Sequence, residues 1–273
     1  MIRRWQNRRG RAKAVGGGGF TLVELLVALG VVVVLAGLLM TGIARAKARA
    51  QRTVCLNHLS QIGKAMTMYV SDNNKYPQIM GGPPFQMWAD RLTPFLGMSW
   101  TNVDWHCPVY VAKGDMLRFN YPPPEGGKLS VSSSYAYNAN GIWGIKMAGT
   151  DLFDAGPKLG LGDLNRTVPE QQVVAPSEMY AVGDARPFLN LQAGGFMGWP
   201  VMQAWKLGWG LGIMTEAPPP HDGGYDLLFV DGHAQWLKRR DYLYPPISGP
   251  HWNRDNQAHQ EMWLPTNAWA VTE

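Results

Sequence analysis

Phe20–Met40 reads FTLVELLVALGVVVVLAGLLM, and these 21 residues decide the architecture. As a helix rising 1.5 Å per residue they would cover roughly 32 Å, enough to cross the hydrocarbon core of a bilayer. A secretory signal peptide would have a shorter apolar region with a small-residue cleavage site on its far side. Here the far side is Met40-Thr41-Gly42-Ile43 followed by Arg45, Lys47, Arg49 and Arg52, a helix continuing onto a basic face. Glu24 stands out, because an ionised carboxylate inside an apolar span is costly unless it is paired. Two readings stand for it: a residue near the interface that reaches water, or an acid with a functional partner.

On the N-terminal side, residues 1–19 contain six of the 25 basic residues (Arg3, Arg4, Arg8, Arg9, Arg11, Lys13), none of the 20 acidic ones, and Gly16–Gly19. Residues 20–273 therefore carry 19 basic against 20 acidic side chains, a net charge of −1, so the chain's +5 belongs to its leader. Without a basic body or a nucleic-acid motif, no nucleic-acid partner is expected. The stronger positive charge before the span favours a cytoplasmic leader. On the C-terminal side the pattern becomes amphipathic, with Leu56, Leu59, Ile62, Met66 and Tyr69 at three- and four-residue spacings, until Ser71–Asn74 and Pro77 end it. One helix is read from about Phe20 to about Ser71, its second half packing one face onto a folded body. Gly30, Gly37 and Gly42 are either close-approach positions or ordinary membrane-helix glycines.

Gly19-Phe20-Thr21-Leu22-Val23-Glu24-Leu25-Leu26 behind a basic leader resembles the processing site of type IV prepilins and of the pseudopilins of type II secretion. The pattern is a glycine before the cut, an aromatic residue after it and a glutamate four residues on. The resemblance implies that a prepilin peptidase cuts the Gly19–Phe20 bond on the cytoplasmic side of a bacterial inner membrane and methylates the new terminus at Phe20. It also implies a single-pass subunit with its body in the periplasm, or in a cell-surface filament, built with other pilin or pseudopilin subunits of the same or different kind. Glu24 would then pair with the Phe20 ammonium of a neighbouring subunit, neutralising both charges as helices bundle. The leader departs from the pattern in its length, its arginines and its four consecutive glycines.

The blocks Cys55–Ala65, Asp72-Asn73-Asn74, Trp105-His106-Cys107-Pro108 and Ser134-Tyr135-Ala136-Tyr137-Asn138 are similar to those of a large prepilin-like group of planctomycete- and verrucomicrobia-type bacteria. His221 followed after nine residues by Asp231-Gly232 resembles the H-x9-DG motif of that group, which is associated with prepilin processing. Cys55 and Cys107 suit a compartment where thiols oxidise, and a disulfide between them would tie the helix to the body. A zinc site drawing on Cys55, His58, His106 and Cys107, or two free structural cysteines, are the alternatives.

Residues 73–273 alternate short apolar runs with Gly, Pro and Asn clusters. Val173-Val174, Met179–Val182 and Asp226–Val230 read as strands, and no later segment carries a long helical period. Asp231-Gly232 between apolar runs predicts a two-residue hairpin pairing Val230 with His233, which would put Tyr225, Leu227, Phe229, Ala234 and Trp236 on one buried face. Asp231 then serves the turn and His221 a neighbouring loop; the alternative gathers His221, Asp226, Asp231 and His233, with Asp222 nearby, around a cation such as calcium. Trp199, Trp205 and Trp209 either pack across a Gly-rich loop or stack on sugars or partner subunits. Scattered carboxylates such as Asp151, Asp154, Asp163 and Glu170 read as solvated loop residues. No catalytic motif is present, so no enzyme and no required cofactor is expected.

The expected fold is α+β and pilin-like: a leader at 1–19, an N-terminal helix at 20–72 that is transmembrane in its first half, and a loop-rich antiparallel sheet domain at 73–273. The expected function is that of a structural filament subunit. The alternative is a membrane-anchored extracytoplasmic binding protein, for instance for carbohydrate, with pilin-type processing. An anchored hydrolase using His221, Asp226, Asp231 and His233 is a second rival.

Overall fold

The computed structural model describes residues 21–82, 86–99, 102–112, 119–121, 129–131, 134–142, 159–162, 166–185, 187–190, 195–198, 214–216 and 219–262. The leader, Gly19, Phe20, Asp151, Asp154, Asp163, Trp199, Trp205 and Trp209 lie outside the described residues. The chain divides into two compact units, 1–46 and 47–273, each taken by itself below.

The described part of the first unit is the beginning of helix α1 (Leu22–Asn73). From Leu22 to Ile43 its large apolar side chains are exposed all around the helix, which is the surface of a membrane or bundle helix rather than of an amphipathic one. The helix is long and apolar enough to cross a membrane. A Cβ added at Gly30, Gly37 or Gly42 would meet nothing within 4 Å, so packing within a single chain does not require these glycines.

In the second unit α1 buries Cys55, Leu59, Ile62, Gly63, Met66, Tyr69 and Val70 along one face, the spacing that a 3.6-residue period demands. It ends where Asn74 turns left-handed (φ +55°), a conformation asparagine tolerates better than most residues. A two-stranded ladder, β1 (Met80–Gly81) and β2 (Gln86–Met87), leads into α2 (Trp88–Leu96), and α3 (Pro108–Ala112) follows. Then come β3 (Phe119–Tyr121), β4 (Leu129–Val131), β5 (Tyr135–Tyr137), β6 (Tyr180–Asp184), β7 (Pro187–Asn190), β8 (Gly195–Gly198) and β9 (Met214–Glu216). The hairpin β10 (Gly224–Phe229) and β11 (Ala234–Lys238) precedes α4 (Arg239–Leu243) and α5 (Pro245–Trp252).

The central sheet has the order β11-β10-β6-β5 and is antiparallel throughout; β3–β4 and β8-β7-β9 form separate small sheets. Both faces of the central sheet are covered. Ala181, Val182, Leu228 and Val230 join Leu59, Ile62 and Met66 of α1 in one core. Tyr180, Tyr225, Leu227 and Phe229 join Tyr242, Leu243 and Trp252 in the other. This is the α+β, pilin-like fold expected, with a second helical layer from α4 and α5 that the sequence pattern does not announce. After α1 the longest helix among the described residues has nine residues. The Val173-Val174 run is not a strand: Val173 caps a 3-10 turn at Glu170–Gln172. Val174 is exposed and donates its N–H to Arg254 O (2.8 Å).

The hairpin differs from its expectation by one residue. Leu228 pairs with Ala234 and Leu227 with Gln235. Phe229 N–H donates to His233 O (2.9 Å) and Gly232 N–H to Phe229 O (3.0 Å). Gly232 has φ +95°. The loop is therefore Val230-Asp231-Gly232, a tight turn followed by a left-handed glycine that re-enters the strand as a bulge. Because side chains alternate, the slip moves Ala234 and Trp236 to the opposite face from Tyr225, Leu227 and Phe229. The first two share the α1 side with Leu228 and Asp226, while the last three pack toward α4 and α5.

Gly63 shows how closely the helix and the turn approach. A Cβ at Gly63 would lie 2.7 Å from Leu228 Cδ1, 3.1 Å from Gly232 O and 3.2 Å from Gly232 Cα. The helix and the Asp-Gly turn thus approach backbone to backbone. Gly63→Leu is expected to destabilise the body by about 1–3 kcal/mol through overpacking, and Gly30→Leu by almost nothing. Urea unfolding of the two full-length variants in detergent checks this, and equal midpoints would contradict the contact.

Candidate functional site

At the start of α1, Thr21 Oγ1 accepts from Glu24 N–H (3.2 Å), and the Glu24 carboxylate accepts from Thr21 N–H (2.9 Å) and from the Thr21 hydroxyl (2.9 Å). This is a reciprocal capping box: residue and partner sit three apart, and two otherwise unpaired N–H groups are satisfied. The Thr-x-x-Glu spacing is itself a helix-start signal, one that the sequence reading of Glu24 as an acid in an apolar span passed over.

The second site lies in the body, where four separate segments bring polar side chains into the interior. Cys55 projects from the buried face of α1 and Cys107 stands just before α3. Asp184 ends β6, and His221 precedes β10, tied to it by the exchange of bonds with Gly224 across a turn in which Asp222 (φ +46°) and Gly223 (φ +81°) are both left-handed. The two sulfurs are 2.8 Å apart, with both cysteines free. Cys107 Sγ is 3.4 Å from His221 Nε2. His221 Nε2 is also 3.5 Å from Asp184 Oδ2 and 3.6 Å from Asp226 Oδ2.

Supports surround this group. Ser134 Oγ accepts from Cys107 N–H (2.8 Å), Asp184 Oδ2 accepts from Asp226 N–H (2.7 Å), and Trp236 Nε1–H donates to His221 O (2.9 Å). Arg52 lies over the Trp236 ring with its Nε 3.8 Å from Asp226 Oδ1, so a cation borders the cluster on the α1 side.

Charge and burial act strongly on these groups. The hydrogen bond to Cys107, together with burial, pushes the Cys55 thiol up. Burial also opposes ionisation of Cys107, but contacts with Cys55 and His221 overcome it and bring its pKa down to about 7. Burial works against His221⁺, yet the Asp184 charge and hydrogen bond raise its pKa to about 11. Burial and the Asp184 charge push Asp226 up to about 8. The pocket therefore sets two thiols, an imidazole and two carboxylates against one another in a buried interior.

Several expected groupings are rearranged. His58 Nδ1 faces the Tyr135 hydroxyl (3.2 Å) and His106 Nδ1 faces Ser134 Oγ (3.3 Å), so neither histidine joins the sulfurs. The cation set His221, Asp226, Asp231 and His233 is not assembled. Asp231 Oδ1 instead binds His233 Nδ1 (2.6 Å) and accepts from His233 N–H (3.1 Å) at the hairpin tip, the length of β10 away from His221. The same separation removes the geometry on which a hydrolase reading depended. Asp222 is exposed in its turn. Asp184 was missed, since nothing in Tyr180–Asp184 marks its last residue as facing the cysteines.

A comparison with proteins of known role finds 40% identity over 58 residues to the type IV wide pilus major component PilA4 of Thermus thermophilus. The match covers 21% of this chain and 44% of that protein's length. No family model matches the chain, and no solved structure matches it. The long apolar helix joined to an antiparallel sheet defines an α+β, pilin-like fold, and this similarity supports a pilin-like structural protein.

Proposed function

We propose that the chain is a pilin or pseudopilin subunit of a type IV pilus-like or type II secretion filament. It is made as a precursor with its leader in the cytoplasm, the first half of α1 in the bacterial inner membrane and its body in the periplasm. A prepilin peptidase cuts after Gly19 and methylates Phe20, and the exposed stretch of α1 then packs against the same stretch of other subunits. The observation that carries this reading is the apolar surface from Leu22 to Ile43, which is bare on every side, on the same helix whose later turns the body buries. The similarity to a pilus component supports the same reading.

The testing experiment is the intact mass and N-terminal peptide of the membrane-extracted protein, made with and without a prepilin peptidase. A chain beginning at N-methylated Phe20 only when the peptidase is present is the expected result. A chain uncut near Met1, or cut beyond Met40, would refute it. Gly19→Arg is expected to block the cut and leave the full precursor, since a long cation replaces the small residue at the scissile bond. A mature product of unchanged mass from that variant would put the bond elsewhere.

A further inference from the structure

The interior cluster holds more lone pairs than protons to share among them. Cys55 Sγ, Cys107 Sγ, an Asp184 carboxylate oxygen and a His221 ring nitrogen all lie within 4.8 Å of one another, and all four residues are buried. His221 Nε2 faces a sulfur and two carboxylates at 3.4, 3.5 and 3.6 Å, although a single N–H can serve only one acceptor well. Among the described residues, Asp184 Oδ1, both Asp226 carboxylate oxygens and His221 Nδ1 have no hydrogen-bond partner. Buried polar atoms in a native interior are normally satisfied, so the unpartnered Asp184 Oδ1 leaves one carboxylate of the four-donor group short of a partner.

We propose that Cys55, Cys107, Asp184 and His221 bind a single zinc ion in the interior of the body. Two sulfurs, one imidazole nitrogen and one carboxylate oxygen form a tetrahedral zinc donor set, whereas calcium and magnesium take oxygen ligands. Donors 2.0–2.3 Å from a tetrahedral ion stand about 3.3–3.8 Å from one another. The Cys107–His221 and His221–Asp184 edges, 3.4 and 3.5 Å, already have that length. The sulfurs, 2.8 Å apart, separate by about 1 Å to admit the ion. Binding releases both thiol protons and the proton on His221 Nε2, so two thiolates and one carboxylate surround the divalent charge. Asp226 and Arg52 form the outer layer, the arginine offsetting the remaining negative charge. The ion would join α1, the segment before α3, the end of β6 and the start of the β10–β11 hairpin, and His221 of the H-x9-DG motif would be a ligand. This inference is independent of filament assembly.

The test uses the full-length chain extracted in detergent under reducing, chelator-free conditions. Elemental analysis is expected to find one zinc per chain. Exchange of that zinc for cobalt is expected to give the intense red-region bands of a tetrahedral ion and a near-ultraviolet sulfur-to-cobalt band. Asp184→Asn and His221→Ala should lower retained zinc at least tenfold, Cys107→Ser should weaken the sulfur band, and His58→Ala and His106→Ala should change neither. A wild-type chain with no zinc overturns the proposal, as does a Cys55–Cys107 disulfide in peptide maps of a parallel sample alkylated before any reductant is added. So does a cobalt spectrum without a sulfur band, a result that needs no variant to fold.

Discussion

Asn138→Leu is expected to lower the unfolding midpoint of the body by ~10 °C or more, although leucine fills nearly the same volume. Asn138 is fully buried. Its Nδ2 donates to Tyr180 O (2.8 Å) and Trp252 O (2.8 Å), while its Oδ1 accepts from Gly141 N–H (3.1 Å). One side chain thus satisfies backbone groups of β6, α5 and the loop after β5. Leucine leaves all three without partners, at about 1–3 kcal/mol each, and in a body of this size each kcal/mol moves the midpoint by roughly 2–4 °C. Asn138→Asp should be as damaging, because an oxygen would then face two carbonyls. Thermal unfolding of the full-length variants in detergent decides the matter; a shift below about 3 °C for both would mean that the three groups find other partners.

Glu24→Gln is expected to abolish filaments while leaving the start of α1 intact. The capping box of Thr21 and Glu24 accepts glutamine as readily as glutamate, so the substitution removes the charge and keeps the cap. In the proposed bundle, the Phe20 ammonium of a neighbour would then be left without a counter-charge, at about 3–5 kcal/mol per contact, or more than about a hundredfold in association. Glu24→Ala loses cap and charge together and should also fail to assemble. The readout is the filament fraction sheared from cells, with membrane-bound precursor and mature chain measured alongside. Normal filaments from Glu24→Gln but none from Glu24→Ala would assign the residue to capping alone, and normal filaments from both would remove it from assembly altogether.

The helix was readable because its signals are local. The apolar run from Phe20, the switch to the Leu59, Ile62, Met66, Tyr69 spacing and the asparagines that stop it all lie within a few turns of the residues they govern. The hairpin was readable to within one residue. Asp231-Gly232 announces a turn, but a two-residue loop and a three-residue loop with a bulge share that dipeptide, and it is the register and the Phe229 hydrogen bonds that distinguish them here. A disulfide between Cys55 and Cys107 was the first of three readings of the pair; the sulfurs lie 2.8 Å apart with both cysteines free. Their neighbours were not recognised, because Asp184 and His221 come from strand ends 37 residues apart in sequence, and no spacing rule spans such a distance. The layer of α4 and α5 escaped for a different reason. Tyr242, Leu243 and Trp252 belong to helices of five and eight residues, too short to show a period, and they are held mainly by aromatic contacts such as Trp252 on Tyr242 (centroids 5.2 Å apart).

The grip of the body on α1 also sets how the molecule would carry tension. The helix has no buried residue before Cys55, and from there to Val70 it is held along a continuous face. A pull applied through the N-terminal end would load that face in shear, along the helix axis, so that Leu59, Ile62 and Met66 resist together instead of peeling away one after another. The close approach of Gly63 to the backbone of Gly232 lies within the same face.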